Sequence, residues 1–257
     1  MRYDISGTVM QTVEIELEPG ETVYSQTNCM CWMDDTVAMS TNMGGGFLSG
    51  LKRSFSGGSL FLTQFTANGA GRVAFAPRFP GTIMPYDLGP DESLVCRKES
   101  FLCAENSVTL AVAWQKRLGA GVFGGEGFLL QRVTGPGLVW LDISGEVVER
   151  DLAEGQRLLV HAGHVGIMDP SITFDIQLVP GIKNILFGGE GLFLATVTGP
   201  GHVVLQSMPI LNLAEEIGRH LPASGREKTS VGGGIAAGVV GSVLGAMFGG
   251  SKGSRDA

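Results

Sequence analysis

The sequence predicts a mainly β protein: three pseudo-symmetric antiparallel β-sandwich repeats, then a short C-terminal helix and a glycine-rich tail. Three observations carry this reading. A segment returns within the chain, apolar residues alternate with polar ones, and forty glycines and eleven prolines punctuate short apolar runs. The returning segment, FGGEGFLLQRVTGPG from Phe123 to Gly137, reappears as FGGEGLFLATVTGPG from Phe187 to Gly201, 64 residues further on. Counted from Val122 and Leu186, eleven of sixteen aligned positions are identical. Identity that dense, in segments of glycine and alternating apolar residues, marks duplication of a structural unit. A fainter third copy is SFSGGSLFLTQFTANGAG from Ser54 to Gly71, where Gly57 and Gly58 stand as Gly124 with Gly125 and Gly188 with Gly189 stand later.

The first half of each unit repeats as well, at offsets of 71 and then 64. Leu17, Leu88 and Leu152 align, each followed by a turn: Pro19-Gly20, Pro90-Asp91 and Glu154-Gly155. Further on, Asp34-Asp35-Thr36-Val37 aligns with Glu105-Asn106-Ser107-Val108 and with Asp169-Pro170-Ser171-Ile172. That order suits a tight turn feeding a strand, because short polar side chains bond the backbone there. The repeats accordingly run over 1–80, 81–144 and 145–209. Alternation is plain in Val13 to Leu17 and in Ile172 to Ile176, as expected of half-buried antiparallel strands. Glycine and proline in the TGPG loops predict hairpins, each joining GFLLQRV or GLFLATV to the strand that follows, with positive φ at Gly135 and Gly199.

Beyond the repeats the texture changes. Residues 210–222 are expected to form one short amphipathic helix, with Asn212 as its cap, Glu215 three residues on, and an apolar stripe of Leu213, Ile217 and Leu221. Residues 223–257 read as a polar linker followed by the tail.

Charge and cysteine usage narrow the function classes. The net charge is −7, and the basic residues are scattered, with Lys52-Arg53 and Lys116-Arg117 as adjacent pairs in the β region. Nucleic acid is therefore not an expected partner, since phosphate binding calls for a basic stripe. The N-terminal MRYDISGTVM lacks the basic flank and apolar run of a signal peptide, and Cys29, Cys31, Cys96 and Cys103 read as reduced thiols, both pointing to the cytoplasm.

The YDISG strand, the PGE turn, the stretch GGGFLSGLKRSFSGGSLFLTQF and the doubled FGGEG with TGPG resemble the AIM24 family over essentially residues 1–222. The resemblance implies a β-sandwich module related to the tryptophan RNA-binding attenuation protein, repeated about a pseudo-threefold axis. It implies no catalytic residues. Mitochondrial members of that family are associated with inner-membrane organisation.

No residue is expected to be catalytic, cofactor-binding or metal-binding. Gly119, Gly121 and Gly124 spell GxGxxG, but a strand-like segment follows where a dinucleotide fold needs a helix. Cys29 with Cys31 and His161 with His164 offer zinc donors, and repeat alignment brings Cys29, Ser100 and His164 to equivalent positions, yet the spacing fits no standard finger or ribbon. Glu126 and Glu190 recur in one loop, as Asp34, Glu105 and Asp169 do in another, so a repeated structural role such as accepting bonds from turn amides outweighs acid–base chemistry. His202 and His220 have no acid or nucleophile pattern beside them. The expected function is that of a non-enzymatic, self-associating scaffold; the alternative is a module holding a small ligand between repeats. Residues 231–250 carry no charge and place small residues at every fourth position. The tail is thus either a disordered tether or a segment that inserts in a membrane or packs against other helices, and through it the protein would meet a membrane or a protein partner.

Overall fold

The computed structural model describes residues 1–41, 62–116, 128–178 and 193–209, together with 212, 213 and 217. The first repeat supplies an added strand β1 (Arg2–Ser6) and then six strands that recur in the others, first to sixth: β2 (Thr12–Leu17), β3 (Thr22–Gln26), β4 (Met30–Met33), β5 (Val37–Ser40), β6 (Leu62–Ala67) and β7 (Gly71–Phe75). The second repeat supplies β8 (Gly81–Leu88), β9 (Ser93–Arg97), β10 (Phe101–Glu105), β11 (Thr109–Lys116), β12 (Phe128–Thr134) and β13 (Gly137–Ser144). From the third come β14 (Val147–Leu152), β15 (Arg157–His161), β16 (Val165–Met168), β17 (Thr173–Leu178), β18 (Phe193–Thr198) and β19 (Gly201–Gln206).

One pairing scheme recurs three times, all antiparallel. The last strand of each repeat lies between its first and third, as β7 lies between β2 and β4, β13 between β8 and β10, and β19 between β14 and β16. The fifth lies between the second and fourth, as for β6, β12 and β18. Alternation then sends one face of each half into a core. Val13, Ile15 and Leu17 of β2 meet Val23, Val37 and Phe65 in the first repeat, and the second and third repeats enclose their own clusters.

Neighbouring repeats are joined by strand pairing. β3 pairs with β10 and β9 with β16, so two six-stranded sheets, β5-β6-β3-β10-β13-β8 and β11-β12-β9-β16-β19-β14, are each shared by two repeats. At the ends of the row stand a four-stranded sheet, β1-β2-β7-β4, and a three-stranded one, β15-β18-β17.

Local chemistry repeats with the topology. In the turn after the first strand, φ is positive at Gly20, Asp91 and Gly155 alike. Each such turn is closed by a side chain on a backbone amide: Glu18 N to Glu21 Oε2 at 2.8 Å, Gly89 N to Glu92 Oε2 at 2.8 Å, and Ala153 N to Gln156 Oε1 at 2.9 Å.

The TGPG loops depart from expectation. They do not close hairpins: β12 and β13 lie in different sheets, as do β18 and β19. The loop carries the chain across the sandwich, from one half of the repeat to the other. Gly135-Pro136 and Gly199-Pro200 are cis, and positive φ falls on Gly137 (129°) and Gly201 (143°) rather than on Gly135 and Gly199. Glycine is needed at 135 for close approach instead, since a Cβ there would stand 2.5 Å from Gly89 O and 2.6 Å from Leu88 O. Gly135→Ala is expected to cost about 2 kcal/mol through overpacking, read as an earlier urea midpoint. An unchanged midpoint would show that the backbone there can give way.

Of 210–222, Asn212, Leu213 and Ile217 are described; all are helical, and Leu213 N donates to Pro209 O at 3.3 Å. The rest of the expected helix, the 223–257 segment, the FGGEG segments and Gly57 with Gly58 lie outside the described residues. Among the described residues no helix is long and apolar enough to cross a membrane.

Candidate functional site

The repeat-equivalent carboxylates act as clamps. Asp34 Oδ2 accepts from Arg72 N at 2.9 Å, Glu105 Oε2 from Leu138 N at 3.2 Å, and Asp169 Oδ2 from His202 N at 2.7 Å. Each ties the end of the third recurring strand, or the turn just after it, to the start of the sixth. Met1 adds an ion pair from its amino group to Glu105 Oε1 at 3.4 Å.

A buried polar region lies where the first repeat meets the second. Residues at the end of β3 and in the following turn (Gln26, Cys29) face Glu99 and Phe101 of the second repeat, Asp142 on β13, and Arg78 in the segment after β7. Gln26 Nε2 donates to Lys98 O at 2.6 Å across the junction, and Arg78 Nη2 donates to Thr27 O at 2.7 Å. Between these groups is a cleft of about 30 Å³. That volume suits a water molecule and falls far short of an organic ligand, which takes several hundred Å³.

Asp142 is the chemically distinctive member. It is 9% exposed, and burial pushes its carboxyl up to about 7, with Arg78 and its own backbone N–H opposing and Glu99 reinforcing. It sits near neutrality in its protonation. The thiols are the reverse of activated. Burial raises Cys29 despite Arg78, raises Cys31, takes Cys96 up to about 12 and holds Cys103 well above the usual thiol range. At neutral pH they are thiols rather than thiolates, hence poor nucleophiles.

The second junction has its own polar link. Arg97 Nη1 donates to Gly163 O at 2.9 Å, while Arg97 pairs with Glu99 at 3.1 Å and stacks 5.2 Å over the Phe128 ring. Gln206 Nε2 bonds the same Gly163 carbonyl at 2.8 Å, and its Oε1 accepts from Ser144 N. His164 Nδ1 lies 2.7 Å from Gln206 O, and its ring centroid 5.7 Å from that of His161. Burial, then His164 and Arg97, push His161 below its ordinary value.

Among the described residues no three His, Cys, Asp or Glu side chains gather as metal ligands. His202, read from sequence as having no acid beside it, does have one: Nδ1 is 2.7 Å from Asp151 Oδ1. Asp151 and His202 are cross-strand partners in β14 and β19, so only the strand register reveals the pair. It is exposed on the surface, Asp151 at 91%. Gly119, Gly121, Gly124, Glu126, Glu190, Lys52, Arg53 and His220 lie outside the described residues. The Asp142 and Arg78 environment was missed from sequence. Its signal was there, a lone carboxylate inside the apolar run LVWLDIS.

Comparison with known proteins fits this architecture. Residues 3–208 match the family described as "Mitochondrial biogenesis AIM24". The chain belongs to the AIM24 family. An uncharacterised protein of Streptococcus pyogenes serotype M6 is 31% identical to this AIM24 chain over 233 residues, spanning 87% of it and 92% of the relative. A crystal structure of a Streptococcus pyogenes protein, 29% identical, superposes with a TM-score of 0.69 over 86% of the AIM24 chain and 99% of its own.

Proposed function

We propose that this AIM24 protein is a non-enzymatic scaffold that self-associates in the cytoplasm and meets membrane or protein partners through residues 231–250. The observation that carries the reading is the shared sheet. Repeats are joined by pairing strand edge to strand edge, a mode of attachment that another chain can repeat wherever an edge is left open. The candidate acid groups support the same reading, because Asp34, Glu105 and Asp169 are spent on backbone amides. Light scattering of the full chain at micromolar concentration is expected to give a multiple of 27.0 kDa. A single-chain mass removes self-association and with it the scaffold.

A further inference from the structure

The row of repeats has two unfinished ends. At each built junction the second strand of one repeat pairs with the third strand of the next: Cys103 stands opposite Ser25 and Ala104 opposite Tyr24 in the first, Ile167 opposite Cys96 and Met168 opposite Val95 in the second. The same two strand positions remain at the ends, β4 of the first repeat and β15 of the third, and among the described residues both are sheet edges.

The side chains at these edges are those that the built junctions cover. By the offsets of 71 and 64, Trp32 is equivalent to Cys103 and Ile167, which are 0% and 1% exposed, whereas Trp32 is 50% exposed. Leu159 is equivalent to Val95 and Tyr24, at 6% and 1%, and is itself 63% exposed. Large apolar side chains on open strand edges are what native sheets ordinarily avoid. Each built junction is also pinned by a side chain from the end of the second strand, Gln26 to Lys98 O and Arg97 to Gly163 O. The third in that series, His161, makes no such bond, and its buried Nδ1 has no partner among the described residues.

We propose that β15 of one copy pairs antiparallel with β4 of a second copy, repeating between chains the junction that joins repeats within one. This rests on the self-association proposed above and assigns it a surface. Carrying over the register of both built junctions sets Trp32 opposite Val160, Met33 opposite Leu159, and Asp35 opposite Arg157. The last pair sets opposite charges face to face on exposed positions. It also has a built counterpart, for in the first junction Asn106 N bonds Thr22 O at 3.1 Å at the equivalent place. Merging the two end sheets gives β17-β18-β15-β4-β7-β2-β1, in which the first six strands follow the pattern of the two shared sheets and β1 is added at the far edge. Because the two surfaces differ, the contact is head-to-tail and builds a closed ring or a filament.

Trp32→Glu and Leu159→Glu test this, each in the full chain, with light scattering as the readout. Leu159 is largely exposed, but Trp32 Nε1 also donates to Glu14 Oε2 at 3.0 Å. Trp32→Ser, which adds no charge beside Glu14, is therefore run with Trp32→Glu, and thermal melts should show each variant folded. Each variant alone is expected to fall to the mass of one chain, 27.0 kDa. Either Trp32 variant mixed with an equal amount of Leu159→Glu should form a one-to-one complex that grows no further, since the former keeps a sound β15 and the latter a sound β4. Variants that stay as oligomeric as the parent overturn this surface while leaving self-association standing. A monomeric Trp32 variant that gives no complex with monomeric Leu159→Glu overturns the head-to-tail arrangement. A parent that is itself monomeric overturns the scaffold reading and this one together.

Discussion

Replacing Trp140 with Ala should destabilise the protein by about 3–5 kcal/mol, a large share of the 5–15 kcal/mol that holds a typical domain together. Trp140 belongs to β13 of the second repeat, yet its fully buried ring lies in the first repeat's core, edge-on to Tyr3 with centroids 5.3 Å apart. It is a plug passed from one repeat into its neighbour. Its Nε1 has no hydrogen-bond partner among the described residues, so Trp140→Phe, which deletes that donor and keeps most of the apolar ring, should cost much less than the alanine variant. Urea unfolding followed by circular dichroism separates the two. Equal losses would mean that the indole N–H, and not the volume, matters at this site.

Asp142→Asn is expected to make stability less sensitive to pH. Burial raises the wild-type carboxyl from 3.8 to about 7 in the folded state. Between those values the folded protein holds a proton that the unfolded chain has released, so wild-type stability falls as pH climbs through the window and levels off above it. Asparagine cannot ionise. The variant should therefore gain on the wild type as pH rises, by at most ~4 kcal/mol at about pH 8, the equivalent of some three pH units. Below about pH 4 the difference should shrink to the change in hydrogen bonding alone. Thermal melts from pH 4 to 8 read this directly. Parallel curves for the two proteins would show that Asp142 is solvated and ionised throughout.

Much of the fold was legible because it is written more than once. Gly20, Asp91 and Gly155 announce one turn in three spellings, and the alternation of Val13, Ile15 and Leu17 names the face that is buried. The carboxylates Asp34, Glu105 and Asp169 were readable as turn clamps by the same redundancy. What periodicity does not encode is which strand an edge will meet. A turn such as Thr134-Gly135-Pro136-Gly137 has the composition of a hairpin whether the next strand pairs with the last one or crosses to the opposite sheet, because local φ preferences are blind to the partner. The Asp142 environment escaped notice for a related reason. Its neighbours Arg78, Cys29 and Glu99 come from three separate stretches of chain, and only the packing of two repeats brings them together.

The shared sheets also decide where this chain can be cut. Beads on a string could be separated at residue 80 or residue 144 and each would keep its shape. Here a cut at 80 would strip β3 of β10 and pull Trp140 out of the first repeat's core, and a cut at 144 would strip β9 of β16. The fragments would carry raw edges and an open core, so the units duplicated in the sequence now share their sheets and their packing as one body.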